Sequence, residues 1–197
     1  VGYGTAYRQW NTASSGNKII FSVATPLTSF KIHYAIFGTG VAYYKIDGGS
    51  AVNFTTSGTA TIVPAVLTVA SAVTSTIEIG WVSGASYIQG IQEFKGDENA
   101  GIQVHNCASS GSTALLWDST AIPTRSWRGH MALLDPDLIT INLGGNDARI
   151  LGGNRTVAQF EADLTSLFTK LDTVSTIAPI VMNMQWNIGN VLNVEPW

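Results

Sequence analysis

The periodicity of this chain changes once, and that change limits what it can fold into. Between Lys18 and Gly96 apolar and polar residues alternate with a period of two. The clearest stretch has Phe30, Ile32, Tyr34 and Ile36 on one side and Lys31, His33 and Ala35 on the other. Alternation of this kind marks half-buried strands, because successive side chains point to opposite faces. After Gly96-Asp97-Glu98-Asn99-Ala100-Gly101 the spacing becomes three and four, broken by short apolar runs. Those runs begin near residues 102, 138 and 179, about 35–40 residues apart, room for a strand, a crossover helix and its turns. The chain therefore divides into an all-β half and an α/β half.

Residues 1–16 read as a connection, with one turn of helix around Tyr7 to Trp10. Residues 17–96 read as a jelly-roll-like β-sandwich, built of short strands with turn signals between them. Its strands are expected over Phe30–Ile36, Val41–Ile46, Ala51–Thr55, Thr61–Val69, Thr76–Val82 and Ser86–Phe94. Asp47-Gly48-Gly49 is a tight hairpin signal. Pro64 inside its run places that strand at an edge or a bulge, since proline gives no N–H to a ladder. His33 reads as a solvated or hydrogen-bonded strand histidine. Tyr43, Tyr44, Trp81 and Tyr87 have two readings: a sugar-stacking face, or ordinary strand packing.

In residues 97–197 a short strand is expected over Ile102–Asn106, then a helix over Ser112–Ser119 that starts at Ser112 or Thr113. Asp135-Pro136-Asp137 leads into a strand over Leu138–Leu143. The next helix runs from Val157 to about Val174, with Val157, Phe160, Leu164, Leu167, Phe168 and Leu171 on one side. Thr156 and Gln159 form a capping box at its start. Pro179–Met184 is the last strand. Successive crossovers of this kind build a parallel sheet, and they are nearly always right-handed.

The chemistry gathers where these strands end. Leu138–Leu143 breaks at once into Gly144-Gly145-Asn146-Asp147. The space beyond the carboxyl end of a parallel strand is where ligands bind in α/β sheets. Glycines let backbone N–H groups come close there, Asn146 brings two side-chain donors, and Asp147 holds the turn. Leu143-Gly144-Gly145-Asn146-Asp147 resembles the Gly-x-Asn-Asp block of the SGNH (GDSL) hydrolases, α/β/α serine esterases in which the Asn side chain donates to the oxyanion hole. A second block, Val104-His105-Asn106-Cys107-Ala108-Ser109-Ser110-Gly111-Ser112-Thr113, is similar to the family's glycine turn. That glycine gives its backbone N–H to the same hole.

The resemblance covers roughly residues 100–190 and implies that Asn146 and Gly111 are the oxyanion donors of a partial SGNH-type α/β/α three-layer domain with a parallel sheet. It also implies a serine nucleophile in a Gly-Asp-Ser block and a base in an Asp-x-x-His block. The chain contains neither: none of His33, His105 and His130 follows an Asp by three residues. His105 reads as a packed strand-end residue. The chain is thus expected to be an internal segment, inactive by itself. The triad would be completed by the remainder of the polypeptide or by another chain.

The implied activity is that of a carbohydrate O-acetylesterase, with a carbohydrate ester as substrate and no metal or cofactor. The alternative is a non-catalytic carbohydrate-binding or structural module of a phage tail or cell-surface protein with a degenerate hydrolase half. Composition bounds the partners. The net charge is −3 with no basic cluster, so there is no electrostatic footprint for nucleic acid. No apolar run reaches the roughly 18 residues of a membrane span. Cys107 is the one cysteine, so no internal disulfide forms. With only 12% charged residues, the surface must be largely Ser, Thr, Asn and Gly, which points to an extracellular or virion-surface setting.

Overall fold

A computed structural model describes residues 8–10, 17–58, 63–107, 111–118, 127–148, 155–174 and 178–183; for 8–10, 127 and 130 it describes the backbone alone. It is mostly antiparallel β-sheet, with a small parallel sheet and few helices. Contacts divide the chain into two compact units. One comprises Val1–Cys107 with Thr124–Leu133, the other Ala108–Pro123 with Leu134–Trp197.

The first unit contains β1 (Arg8–Trp10), β2 (Lys18–Ser22), β3 (Ser29–Ile36), β4 (Val41–Ile46), β5 (Val52–Thr55), β6 (Val63–Val69), β7 (Thr76–Ser83) and β8 (Ser86–Phe94). They form two four-stranded sheets in the orders β1-β8-β3-β6 and β2-β7-β4-β5. Apart from the β4–β5 hairpin, each strand passes to the other sheet, which is the double Greek key of a jelly roll. The inward residues of both sheets make one core: Phe30 and Ile32 from β3, Ala42 from β4, Ile77 and Ile79 from β7, Ile88 from β8, with Leu27, Val69 and Val73. Phe30 meets Tyr44 edge-on at 5.9 Å, and Tyr34 meets Phe54 at 5.3 Å. Burial of each large apolar side chain contributes about 1.5–3 kcal/mol.

Between β3 and β8 the register slips: His33 faces Gly90 but Tyr34 faces Ile88. Gln89 is the extra residue of a bulge, and the slip lets both Ile88 and Ile91 point inward. Pro64 lies on β6, an edge strand, as its missing N–H requires. The expected turn of helix near Tyr7–Trp10 is instead a strand: Arg8–Trp10 pairs with Ser86–Ile88, and Tyr7 lies outside the described residues. Three residues carry too little pattern to announce an edge strand, whose partner decides it.

Asp47 and Gly48 both have positive φ, 50° and 74°, and Gly49 N–H donates to the Ile46 carbonyl at 2.8 Å. This is a type I′ turn, the geometry that Asp-Gly favours between twisted strands. The Asp47 side chain also ties the turn to the approach to β7. Its carboxylate accepts from Thr74 N–H, Thr76 N–H, the Thr74 hydroxyl and Ser75 N–H at 2.7–2.8 Å. These bonds hold its pKa down at about 2 from an ordinary 3.8. A depressed carboxylate stabilises the fold fully above the unfolded value and loses that effect as pH falls through the folded one. Asp47→Asn tolerates positive φ but offers a single acceptor oxygen. It is expected to lower Tm at neutral pH, and thermal melts of the two forms should converge between pH 3.8 and about 2. A gap that stays constant through acid would contradict this role.

The segment expected as a strand over Ile102–Asn106 is not one. Gln92, opposite Lys31 on the outward face of the β3–β8 pair, donates to Gln103 Oε1 at 3.1 Å and lies 3.4 Å from His105 Nε2. The segment lies on the sheet's face instead of pairing at an edge. Its alternation is real, but the apolar residues point outward: Ile102 is 93% and Val104 88% exposed. His33 sits beneath it, fully buried and hydrogen-bonded to Gln92 Oε1 at 2.6 Å. The hydrogen-bonded reading of His33 holds and the solvated one does not.

The second unit contains α1 (Ala114–Asp118), β9 (Ile139–Ile141), α3 (Val157–Leu171) and β10 (Ile180–Met182). β9 and β10 pair in parallel, Thr140 against Val181, with α3 as the crossover. The capping box forms in both directions: Gln159 N–H donates to Thr156 Oγ1 at 3.3 Å, and Thr156 N–H to Gln159 Oε1 at 3.0 Å. Phe160, Leu167 and Leu171 are buried, while Val157 is half exposed. A further helix, α2 (Trp127–Leu134), was not legible as a periodic pattern. Asp135 follows it at φ 47°, then Pro136, which together are a helix stop. Among the described residues no helix is long and apolar enough to cross a membrane.

Candidate oxyanion site

The site is built from the turns that follow β9 and precede α1. After Ile141 the chain turns at Gly144–Ala148, closed by Ala148 N–H donating to the Gly144 carbonyl at 3.0 Å. Gly144 has φ 112°, and a Cβ there would stand 3.4 Å from the Phe160 ring. The positive φ is what favours glycine here, since the ring distance is ordinary contact.

Asp147 has no exposed surface. Its Oδ2 accepts from Gly144 N–H at 3.2 Å within its own turn, and its Oδ1 accepts from Ala114 N–H at 2.8 Å, 33 residues earlier. The carboxylate thus closes one turn and satisfies a donor at the start of α1, where helices leave N–H groups without internal partners. Thr113 caps the same helix, its hydroxyl accepting from Leu116 N–H at 3.1 Å. Asn146 Nδ2 donates to the Ser112 carbonyl at 3.0 Å.

The two turns are therefore stitched together by adjacent residues, Asn146 to Ser112 and Asp147 to Ala114. Gly111 immediately precedes the residue that Asn146 holds, and it is exposed with φ 76°. An amide nitrogen carries two N–H groups. The bond to Ser112 uses one and fixes the plane in which the second lies.

Two ion pairs brace this arrangement. Arg155, just before the cap of α3, grips both carboxylate oxygens of Asp163 at 2.8 and 2.7 Å, and its backbone N–H donates to the Asp147 carbonyl at 3.1 Å. Lys170, in the last turn of α3, reaches the Asp118 carboxylate at 2.5 Å and also the Asp118 carbonyl. Neither pair was anticipated from sequence. The signal was Asp163, an acid on the apolar side of an amphipathic helix, which requires a partner when buried.

The other candidates fall elsewhere. His105 belongs to the sandwich unit, beside Gln92. His130 lies on α2, with its side chain outside the described residues. Burial pushes the Cys107 thiol up, away from the thiolate a nucleophile needs. Among the described residues no group of three or more His, Cys, Asp or Glu is placed to hold a metal ion.

The four aromatics do not form one platform. Tyr44 packs into the sandwich core against Phe30 and Phe54. Trp81 Nε1 donates to the Gly84 carbonyl, and Tyr87 meets Phe37 edge-on in the other sheet. Tyr43 faces outward on the β2-β7-β4-β5 sheet, beside Gly80 of β7. It lies over Gly80, where a Cβ would stand 2.2 Å from the ring, with its hydroxyl donating to Glu78 at 2.8 Å. Comparison with protein-family models and with curated proteins returns no match.

Proposed function

We propose that this chain supplies the oxyanion-binding part of an SGNH-type serine ester hydrolase, with an O-acetylated carbohydrate as substrate. What supports this reading is the pair of hydrogen bonds joining the two resembling blocks: Asn146 to Ser112 and Asp147 to Ala114. They bring a side-chain amide next to the glycine turn at the end of a parallel strand. In this reading a serine and a histidine come from sequence flanking these residues or from another chain. The serine hydroxyl adds to the acyl carbon and gives its proton to the histidine. The carbonyl oxygen, now negative, takes hydrogen bonds from Gly111 N–H and the second N–H of Asn146. The intermediate collapses, the sugar oxygen leaves with the histidine's proton, and water hydrolyses the acyl-serine. Asp147 holds the turn and transfers no proton. No metal or cofactor enters the scheme, and the proposed setting, argued from the 12% charged residues, is extracellular or on a virion surface.

A second reading draws on Tyr43. An outward tyrosine lying flat over Gly80, with Glu78, Lys18 and Lys45 around it, has the makings of a single sugar-stacking position. The jelly roll would then bind carbohydrate without catalysis. Acetyl-ester turnover by the protein together with its flanking sequence, with Asn146 intact and replaced by Ala, separates the readings. Turnover that depends on Asn146 supports the esterase; its absence supports the binding module.

A further inference from the structure

We infer that the Arg155–Asp163 ion pair is a positioning device for the Asn146 amide; the inference rests on the esterase reading above. A donor must meet the developing oxyanion within a few tenths of an ångström, so whatever sets its height matters to the rate. The Asn146 turn follows a strand of only three residues, which is little to hold it. Toward α1 it is fixed by the Asp147 carboxylate. Toward α3 it is fixed by one described bond, from Arg155 N–H to the Asp147 carbonyl at 3.1 Å.

Arg155 does not lie within α3. It precedes the cap residue Thr156, and its side chain reaches forward to Asp163 at the middle of the helix. Both guanidinium contacts are short, and the two side chains are 21% and 8% exposed. A bidentate guanidinium–carboxylate pair fixes orientation as well as distance, which a lysine ammonium does not. The path runs from the body of α3 through Asp163 and the Arg155 side chain to the Arg155 N–H, then to the Asp147 carbonyl, one residue from Asn146. Neither side chain is one of the proposed oxyanion donors, and both guanidinium contacts go to Asp163, so in this inference Arg155 and Asp163 act through Asn146.

The test uses Arg155→Lys in the protein with its flanking sequence, assayed on p-nitrophenyl acetate. The expected result is a kcat lower on the order of tenfold to a hundredfold with KM unchanged. Asp163→Glu, which keeps a carboxylate, should retain more of kcat than Asp163→Asn. An ion pair that only steadies the helix would lower Tm and leave the kcat of the folded protein intact, and that outcome would overturn the inference.

A second readout does not depend on activity. In the 197-residue chain the NMR signals of the Asn146 side-chain amide should shift and exchange faster with water in Arg155→Lys. They should stay put in Lys18→Ala, whose ion pair with Glu78 lies in the sandwich. Unmoved Asn146 signals in Arg155→Lys would also overturn it. If Asn146→Ala leaves turnover intact, the esterase reading fails, and the amide signal still decides whether the clamp positions Asn146.

Discussion

If the proposed esterase reading holds, Asn146→Ala in the protein with its flanking sequence lowers kcat by about 10²–10³-fold, the usual effect of deleting one oxyanion donor. KM should change little. The reason lies in when the bond is strong. A ground-state ester carbonyl carries only a partial charge and sits short of the tetrahedral oxygen's final position. The second N–H of Asn146 gains most once that charge has formed, and an interaction made in the transition state alone appears in kcat. The same substitution removes the bond to the Ser112 carbonyl, a loss of about 1 kcal/mol for an ordinary neutral hydrogen bond. Tm should therefore fall only modestly while turnover collapses. Asn146→Asp sharpens the case, since a carboxylate turns acceptor oxygens toward a developing anion and should be worse than Ala. Equal losses in kcat and KM, or none, would remove Asn146 from the chemistry.

The largest effect on stability is expected from Phe30→Ala. Phe30 is fully buried, lies edge-on to Tyr44 at 5.9 Å, and shares the core with Ile32, Ile77 and Ile79. Truncating a phenylalanine in such a place costs about 3–5 kcal/mol, the transfer energy of the ring plus the cavity it leaves. That is a large part of the roughly 5–15 kcal/mol that holds a typical domain together. Urea denaturation should show the sandwich transition moving to much lower denaturant with little change in slope. Ile20→Ala is the control. Ile20 lies on edge strand β2 and is 53% exposed, so its loss should cost no more than about 0.5 kcal/mol. Comparable effects at the two positions would mean that the inward faces of the two sheets are not the core.

What could be seen in the sequence follows from how local the deciding physics is. The alternation in Phe30–Ile36, the Asp47-Gly48 turn and the Thr156–Gln159 capping box are each settled within a few residues, and each appears where its pattern falls. Elements whose fate depends on distant partners were harder. Arg8–Trp10 is a strand only because β8 offers it an edge. Ile102–Asn106 has the alternation of a strand but lies across a sheet face, with Gln103 and His105 turned toward Gln92. Trp127–Leu134 has Gly129 and His130 in its middle, which weaken helix propensity. Its boundary signal, Asp135-Pro136, read equally well as the approach to a strand.

The same division holds at the candidate site. Gly144 to Asp147 after β9 are a local pattern, whereas Gly111 was singled out only by the resemblance of its block to the family's glycine turn, and the strand expected before it is not formed. The joining of the two blocks through Ser112 and Ala114 spans more than thirty residues and needed the fold. The Arg155–Asp163 clamp needed it as well, although an acid on the buried side of α3 was a clue in plain view.

The most direct measurement of the proposed reading is a crystal structure of the protein with its flanking sequence after reaction with a fluorophosphonate, which leaves a tetrahedral phosphonyl group on a nucleophilic serine. The phosphonyl oxygen that stands for the oxyanion should lie about 2.7–3.1 Å from both Gly111 N and Asn146 Nδ2. An adduct whose oxygen points away from both, or a protein that forms no serine adduct at all, would contradict the account.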